Sequence, residues 1–266
     1  MQTAPSPTLI DPPHHFRATP DEVELGELVS EGSFGKLHKA RWRGTTVAVK
    51  KLKQELATDQ TAMKDFAAEV KVLMLVRHPN VILYMAAFEG NLDSSQLPFI
   101  VLEWLGGGNL YDKIHSQVAL GQRELVKFAY DLACGMNFLH NFKPKIIHRD
   151  LKPHNLIISS SNELKIGDFG LSRFQEDDGI MTGKTGSFRW MAPEVVRAEK
   201  YDEKVDVYSF AMILWEMFSS DVPFSAVSDV QAAGQAAAGA RPNLNGSFPP
   251  LVVDLIRKCS DNNPAS

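Results

Sequence analysis

Two kinds of hydrophobic spacing follow one another along the chain, and the change falls near residue 106. From about 22 to 53 apolar positions tend to recur every second residue. "VELGELV" and "KLHKARW" alternate in part, and "VAVKKL" follows a polar "RGTT" turn. That spacing predicts three strands joined by short turns. Over roughly 57–76 the period lengthens. Phe66, Val70, Leu73 and Met74 recur at helical spacing, with Thr58 or Asp59 placed to cap the N-terminus. "HPN" at 78–80 stops this helix, because the residue before a proline is pushed away from the αR region. "VILYMAAF" and "PFIVLEW" then predict two further strands on either side of the polar loop "EGNLDSSQL".

Beyond "GGGN" (106–109) the pattern is mostly helical, with helices expected at about 109–116, 122–142, 202–219, 228–240 and 249–259. One short strand pair interrupts it at 156–166. The Ala/Gly-rich "QAAGQAAAGA" (231–240) reads as an ordinary surface helix, and no internal repeat is seen. The expected fold class is α+β. A Pro-rich leader over 1–20 is expected to be disordered. A small antiparallel β lobe with one helix and its hinge covers 21–105, the glycines of 106–108 are read as a hinge that leads out of it, and a larger, mainly helical lobe covers 106–266. A cleft between two lobes is a common place for a small-molecule site.

Composition narrows the classes. The chain has 266 residues, 44% of them hydrophobic, enough to bury a sizeable core. A formal net charge of -4 offers no bulk attraction to nucleic acid or an anionic membrane. Two distant cysteines, Cys134 and Cys259, form no metal-type spacing and suit a reducing compartment, so a cytoplasmic location is expected. Met1 is followed by no basic-then-apolar signal, and Gln2 excludes N-myristoylation. The longest apolar run, "FAMILWEMF" (210–218), is broken by Glu216 and too short to span a bilayer, so no membrane insertion is expected.

Candidate chemistry concentrates in "IIHRDLKPHNLIISSSNELKIGDFG" (146–170), where charged and amide groups crowd between apolar runs. "NLIISSSNELKIGD" reads as a β-hairpin. With the turn centred on Ser161-Asn162, Asn155 lies across from Asp168 at the open mouth. An amide oxygen and a carboxylate side by side are hard-oxygen ligands suited to Mg²⁺. Asp150 stands near the same mouth as a candidate proton acceptor for a hydroxyl nucleophile. Lys152 brings a cation to that space, as phosphate chemistry needs. A lone "DFG" is usually a turn and a lone "HRD" usually a solvated cluster. The ordered set "HRDLKPHN", hairpin, "DFG" is the protein-kinase signature, with Asp as base and Asn and the second Asp on Mg²⁺.

The N-terminal half carries matching parts. "VSEGSFGKL" (29–37) aligns with a glycine-rich loop that brings backbone N–H groups close to phosphate oxygens. Gly32 and Gly35 fill two glycine positions, while Ser30 stands at the first and departs from the pattern. Lys50 in "TVAVKKL" matches the lysine of the third strand, and Glu69 in "FAAEVKVL" its ion-pair partner.

From about residue 22 onward the sequence resembles the protein kinase catalytic domain. It is most similar to the tyrosine-kinase-like group of Raf and plant Raf-like serine/threonine kinases, through "EGSFGKLHKARWRGTTVAVKKL", "RHPNVILYMAAF", "GSFRWMAPEVV", "KVDVYSFAMILWEM" and "LIRKC". The resemblance implies a two-lobed kinase fold that transfers the γ-phosphoryl of ATP, bound with Mg²⁺, to protein hydroxyls. It implies that Lys50 orients the α/β-phosphates, that Glu69 holds Lys50, and that Asp150 and Lys152 act at the acceptor. Asn155 and Asp168 are the implied metal ligands. Val29, Leu37 and Ala48 would line adenine beside Ser30, Gly32 and Gly35. Leu102 aligns with the gatekeeper, and Glu103-Trp104-Leu105 with the hinge.

His148 and Phe169, with Leu73 and Tyr84, resemble a stacked spine, and Asp206 resembles a buried anchor of the catalytic loop. Lys152 and Ser187 favour Ser/Thr acceptors over Tyr. Thr182, Thr185 and Ser187 are candidate sites for an upstream kinase, with Arg149 as the phosphate's partner. The family continues past "RKCSDNNPAS" with an Arg that pairs with the position of Glu194 and a final helix, so lower stability is expected. A catalytically weak, pseudokinase-like nucleotide-binding scaffold is the alternative, on the strength of Ser30 and of the expected lack of the final helix.

Overall fold

The structure is a computed structural model that describes residues 16–90, 96–175, 187–245 and 248–261. It divides into two compact units, Met1–Arg77 with Ile82–Trp104, and His78–Val81 with Leu105–Ser266.

In the smaller unit, β1 (Val23–Glu31), β2 (Gly35–Trp42), β3 (Thr45–Leu52), β4 (Tyr84–Phe88) and β5 (Phe99–Glu103) form an antiparallel sheet in the order β1-β2-β3-β5-β4. The period of two sorts its side chains. Ala40, Trp42, Val47, Val49, Phe99 and Val101 join Ala86 and Ala18 in a buried cluster. The opposite parity places Leu37, Lys50 and Ile100 in one cross-strand row and Lys39, Ala48 and Leu102 in the next. Helix α1 (Gln60–Leu75) begins at Asp59, whose carboxylate accepts from the N–H groups of Thr61 and Ala62 at 2.8 and 3.3 Å. Asp59 is thus the cap, of the two candidates. Residues 16–20, at the end of the leader expected to be disordered, are ordered, while 1–15 lie outside the described residues. Arg17 bridges Ala87, the Ala18 N–H donates to the Ala87 carbonyl at 3.0 Å, and Ala18 is buried in the core.

The larger unit contains β6 (Gly106–Asn109), α2 (Leu110–Ile114), α3 (Gln122–His140), β7 (Ile146–Ile147), β8 (Leu156–Ser159), β9 (Leu164–Ile166), β10 (Arg173–Phe174), α4 (Pro193–Val196), α5 (Lys204–Ser219), α6 (Asp229–Ala237) and α7 (Pro250–Cys259). Helix α3 buries Leu125, Phe128, Leu132 and Leu139 on one stripe. Helix α5 is buried from Val205 to Met217 except at Val207, as befits the apolar run seen in the sequence. Among the described residues, no helix is long and apolar enough to cross a membrane.

Two expectations change here. The glycines of 106–108, read as a hinge, form strand β6, paired with β8 through Gly106–Ser159 and Asn109–Ile157. A Cβ on Gly107 would stand 2.5 Å from the Ile158 carbonyl oxygen, so glycine serves close backbone approach there. The strand expected from residue 81 begins at Tyr84. Residues 78–81 belong instead to the larger unit. There the Ile166 N–H donates to the Asn80 carbonyl at 2.9 Å and Val81 bridges Ile166.

Candidate active site

The smaller unit holds the residues that the sequence analysis names for phosphate and adenine. The β1–β2 hairpin pairs Ser30 with Leu37 and Glu31 with Lys36, and closes with the Gly32 N–H on the Gly35 carbonyl at 2.9 Å. A Cβ on Gly35 would lie 2.7 Å from the Lys51 carbonyl oxygen, so this position accepts only glycine without backbone movement. Ser30 and Gly32 are exposed, and Val29 stands exposed at an irregularity between Leu28 and Ser30. Leu37, Ala48, Lys50 and Leu102 share one face of the sheet by register, and Ala48 and Leu102 are buried. On that face the Lys50 ammonium donates to both carboxylate oxygens of Glu69, at 2.7 and 2.9 Å. Glu69 is only 5% exposed, so its charge rests on this contact rather than on water. Glu103 closes the last strand pair, its N–H on the Leu83 carbonyl and its Oε1 on the Leu83 N–H at 2.8 Å. Leu105, also buried, opens the larger unit.

The residues that the sequence analysis names for proton handling lie in the larger unit, on backbone held by Asp206. This carboxylate, 1% exposed, accepts from the backbone N–H groups of His148 and Arg149 and from His140 Nε2, each at 2.8 Å. Burial alone would raise its pKa. The bond and charge of His140, with the other donors, outweigh that and hold it below the ordinary value. The anchor fixes Arg149 in a left-handed conformation, φ 67°, and Asp150 follows directly. His148 is fully buried, its Nε2 2.9 Å from the Gly167 carbonyl oxygen and its ring edge-on to Phe169 at 5.1 Å.

Asp150 Oδ2 accepts from Lys152 Nζ and from Asn155 Nδ2, both at 2.9 Å. Lys152 also donates to the Ser187 hydroxyl oxygen at 2.7 Å. The structure therefore joins Asp150, Lys152, Asn155 and Ser187 in one hydrogen-bonded group. The second Asp150 oxygen, Oδ1, is buried with no partner among the described residues.

The hairpin register differs by one residue from the sequence reading. Leu156 faces Ile166, so Asn155 faces Gly167, whose N–H donates to the Asn155 carbonyl at 2.8 Å. The turn is a three-residue loop closed by the Ser159 N–H on the Glu163 carbonyl at 2.9 Å, with Asn162 at φ 62°. Asp168 thus lies one position beyond the pairing, exposed and left-handed at φ 55°.

Two partners escaped the sequence reading: His140, which holds Asp206, and Tyr201, whose hydroxyl accepts from Arg149 Nη1 at 2.9 Å. They lie 66 and 52 residues from their partners, and no local spacing signals them. Thr182 and Thr185 lie outside the described residues.

The donor set fits Mg²⁺ and a phosphorylated nucleotide. Both amide hydrogens of Asn155 are turned onto Asp150, by its carbonyl and its Oδ2, which leaves the amide oxygen as a neutral hard ligand. Asp168, exposed just beyond the hairpin, would supply the carboxylate. Among the described residues no cluster of three or more His, Cys, Asp or Glu forms a metal cage. Mg²⁺ needs none, since one or two protein groups with phosphates and water commonly hold it. Asp150 Oδ1, buried and without a hydrogen-bond partner among the described residues, keeps the capacity to accept from a hydroxyl.

Comparison with known proteins places these residues in context. The family model for protein tyrosine and serine/threonine kinases matches residues 23–266. Serine/threonine-protein kinase VIK of Arabidopsis thaliana is 40% identical over 98% of this chain and 61% of its own length. The probable serine/threonine-protein kinase SIS8 from the same plant is 39% identical over 90% of this chain and 23% of its own length. Serine/threonine-protein kinase CTR1, also from Arabidopsis thaliana, is 38% identical over 91% of this chain and 30% of its own length. The chain therefore spans less than two thirds of each of these relatives.

Proposed function

Because the chain belongs to the protein tyrosine and serine/threonine kinase family, we propose that it transfers the γ-phosphoryl group of ATP to Ser and Thr hydroxyls of protein substrates. Bound with Mg²⁺, ATP supplies the phosphoryl group, and the metal offsets charge on its oxygens. Lys50, fixed by Glu69, holds the α/β-phosphates, and the backbone of the Gly32–Gly35 turn approaches them. Val29, Leu37, Ala48 and Leu102 offer adenine an apolar surface, and the backbone at Glu103 and Leu105 its polar edge. Asn155 and Asp168 hold the metal.

A single observation carries the reading: one Asp150 oxygen is tied to Lys152 and Asn155 while the other is buried without a partner among the described residues. Oδ1 accepts the proton of the incoming hydroxyl, and Lys152 brings positive charge to the same point. Ser187, bonded to Lys152, supports Ser/Thr over Tyr acceptors and brings the acceptor segment to the base. Regulation belongs to the same proposal. An upstream kinase acts on Thr182 or Thr185 before Ser187, which is only 5% exposed. The setting is intracellular signalling in the cytoplasm.

The test is transfer of labelled phosphate from ATP to a generic protein substrate with Mg²⁺, beside an Asp150→Asn control. Transfer that disappears in the control supports the proposal. Soluble, folded protein that binds nucleotide without transfer would replace it with the scaffold reading that Ser30 raises.

A further inference from the structure

In the larger unit, five side chains close a circuit that the reading above does not use. The Trp190 indole N–H donates to Glu216 Oε2 at 2.9 Å. The other oxygen, Oε1, lies 2.9 Å from His115 Nε2. The His115 ring meets that of Tyr111 at 4.4 Å, and Tyr111 stacks on His154 at 4.0 Å and 21°. His154 returns to Trp190 edge-on at 6.1 Å and 79°.

The members come from four places: α2 and its C-cap, the residue before Asn155, the turn at Phe188–Trp190, and helix α5. Glu216 has no exposed surface, so each of its two bonds is made away from water. Trp190 is 6% exposed and its backbone is held as well. Its N–H donates to the Ser187 carbonyl at 3.2 Å, and its carbonyl accepts from the Ser209 hydroxyl at 2.8 Å.

Ser187 to Trp190 is therefore a small fixed unit, tied to the catalytic loop twice. The first tie is Ser187–Lys152–Asp150. The second is the circuit through Glu216 and His154. One hydrogen bond to an ammonium on a flexible stem does not fix direction; a second, ring-built tie on the far side of the turn does.

We infer that Glu216 is a positioning residue for the acceptor: with Trp190, His115, Tyr111 and His154 it sets the 187–190 segment against the catalytic loop. This rests on the phosphotransfer reading. It predicts that loosening the circuit weakens use of the protein acceptor while ATP use is spared. A buried Glu216 that merely stabilised the fold would degrade both together.

The experiment uses Trp190→Phe, which keeps a ring and loses the indole N–H, with Glu216→Gln and Glu216→Leu. Steady-state kinetics are run against both ATP and a generic protein acceptor. Trp190→Phe is expected to raise KM for the acceptor about tenfold, the worth of one buried bond to a carboxylate, with KM for ATP within about twofold. Glu216→Gln keeps an oxygen for Trp190 and a polar group beside His115, so it is expected to keep acceptor KM near that of the unmodified chain. Glu216→Leu is expected to behave like Trp190→Phe or worse.

Backbone hydrogen exchange gives a readout that needs no turnover. Trp190→Phe is expected to speed exchange at Trp190 and Met191, with α1 unchanged. Equal KM rises for ATP and acceptor, an unchanged acceptor KM, or Glu216→Gln as damaging as Glu216→Leu would each overturn the inference. Unchanged exchange at Trp190 and Met191 would overturn it even in a chain that transfers no phosphate. Loss of transfer in every variant, unmodified chain included, with exchange altered as expected, would refute only the phosphotransfer reading and uphold the circuit.

Discussion

Asp206→Asn should lower the melting temperature more than its near-isosteric change suggests. Oδ2 accepts from His148 N and His140 Nε2, and Oδ1 from Arg149 N. An amide has one oxygen. Placed on the two donors of Oδ2, it turns its NH₂ toward the Arg149 N–H, and two donors then face each other in a dry site. That uncompensated donor costs about 1–3 kcal/mol. The two bonds that remain change from charge-assisted to neutral, a loss of about 1 kcal/mol each. The total, about 3–5 kcal/mol, corresponds to roughly 10 °C in a domain of this size. Thermal unfolding followed by circular dichroism measures it. Asp254→Asn is the control, because its exposed pair with Lys258 at 2.9 Å is solvated and should leave the midpoint unchanged. An Asp206→Asn midpoint within about 2 °C of the unmodified chain would refute the reasoning, since no rearrangement of one amide satisfies all three donors.

Four further outcomes are expected. Asp206 has a folded pKa below its ordinary 3.8, so its contribution is present above that value and is lost as pH falls through the depressed folded pKa. Acid titration should show unfolding in that window, with the dependence flattened by Asp206→Asn. Lys50→Met removes both bonds to Glu69 and should lower transfer at saturating ATP by about 10²-fold or more; a loss under tenfold would count against Lys50 as the phosphate holder. Ser187→Ala deprives Lys152 of its 2.7 Å acceptor and should reduce transfer about tenfold, while Ser187→Thr retains it; equal rates in both would deny the hydroxyl a role. Gly35→Ala places a Cβ 2.7 Å from a backbone oxygen and should lower stability by about 1–3 kcal/mol with a raised KM for ATP, measured by calorimetry and kinetics.

What the sequence made legible was mostly local. The helical period around 122–142 marks α3 (Gln122–His140), and the cap at Asp59 follows from a residue type preferred at that point. The hairpin at 156–166 was visible, yet its register slipped by one. "SSSN" carries no glycine to announce a left-handed residue, and Asn162 takes that conformation instead. The opposite error befell "GGGN", whose glycines look like freedom in sequence and serve close strand packing at Gly107. Contacts made across long separations had no local signal. Asp206 could be singled out only through the family resemblance, while Tyr201, His140 and the circuit through Glu216 emerged from the fold alone. Lys50 and Glu69, 19 residues apart, were readable because each falls in a motif of the family; taken alone, Glu69 reads as a solvated carboxylate on a helix face.

The left-handed backbone at Asp168 has a consequence for engineering. A non-glycine residue at φ 55° is strained by roughly 1 kcal/mol, less for Asp than for most residues but more than for glycine. Where heat selection on a random library weighs that strain above the contacts of the Asp168 side chain, it rewards Asp168→Gly, which relaxes the backbone and deletes the carboxylate proposed for the metal. Survivors carrying that change would be hardier and, on the proposed role of Asp168, inactive. A campaign to toughen the molecule should hold residue 168 constant and look for its gains elsewhere.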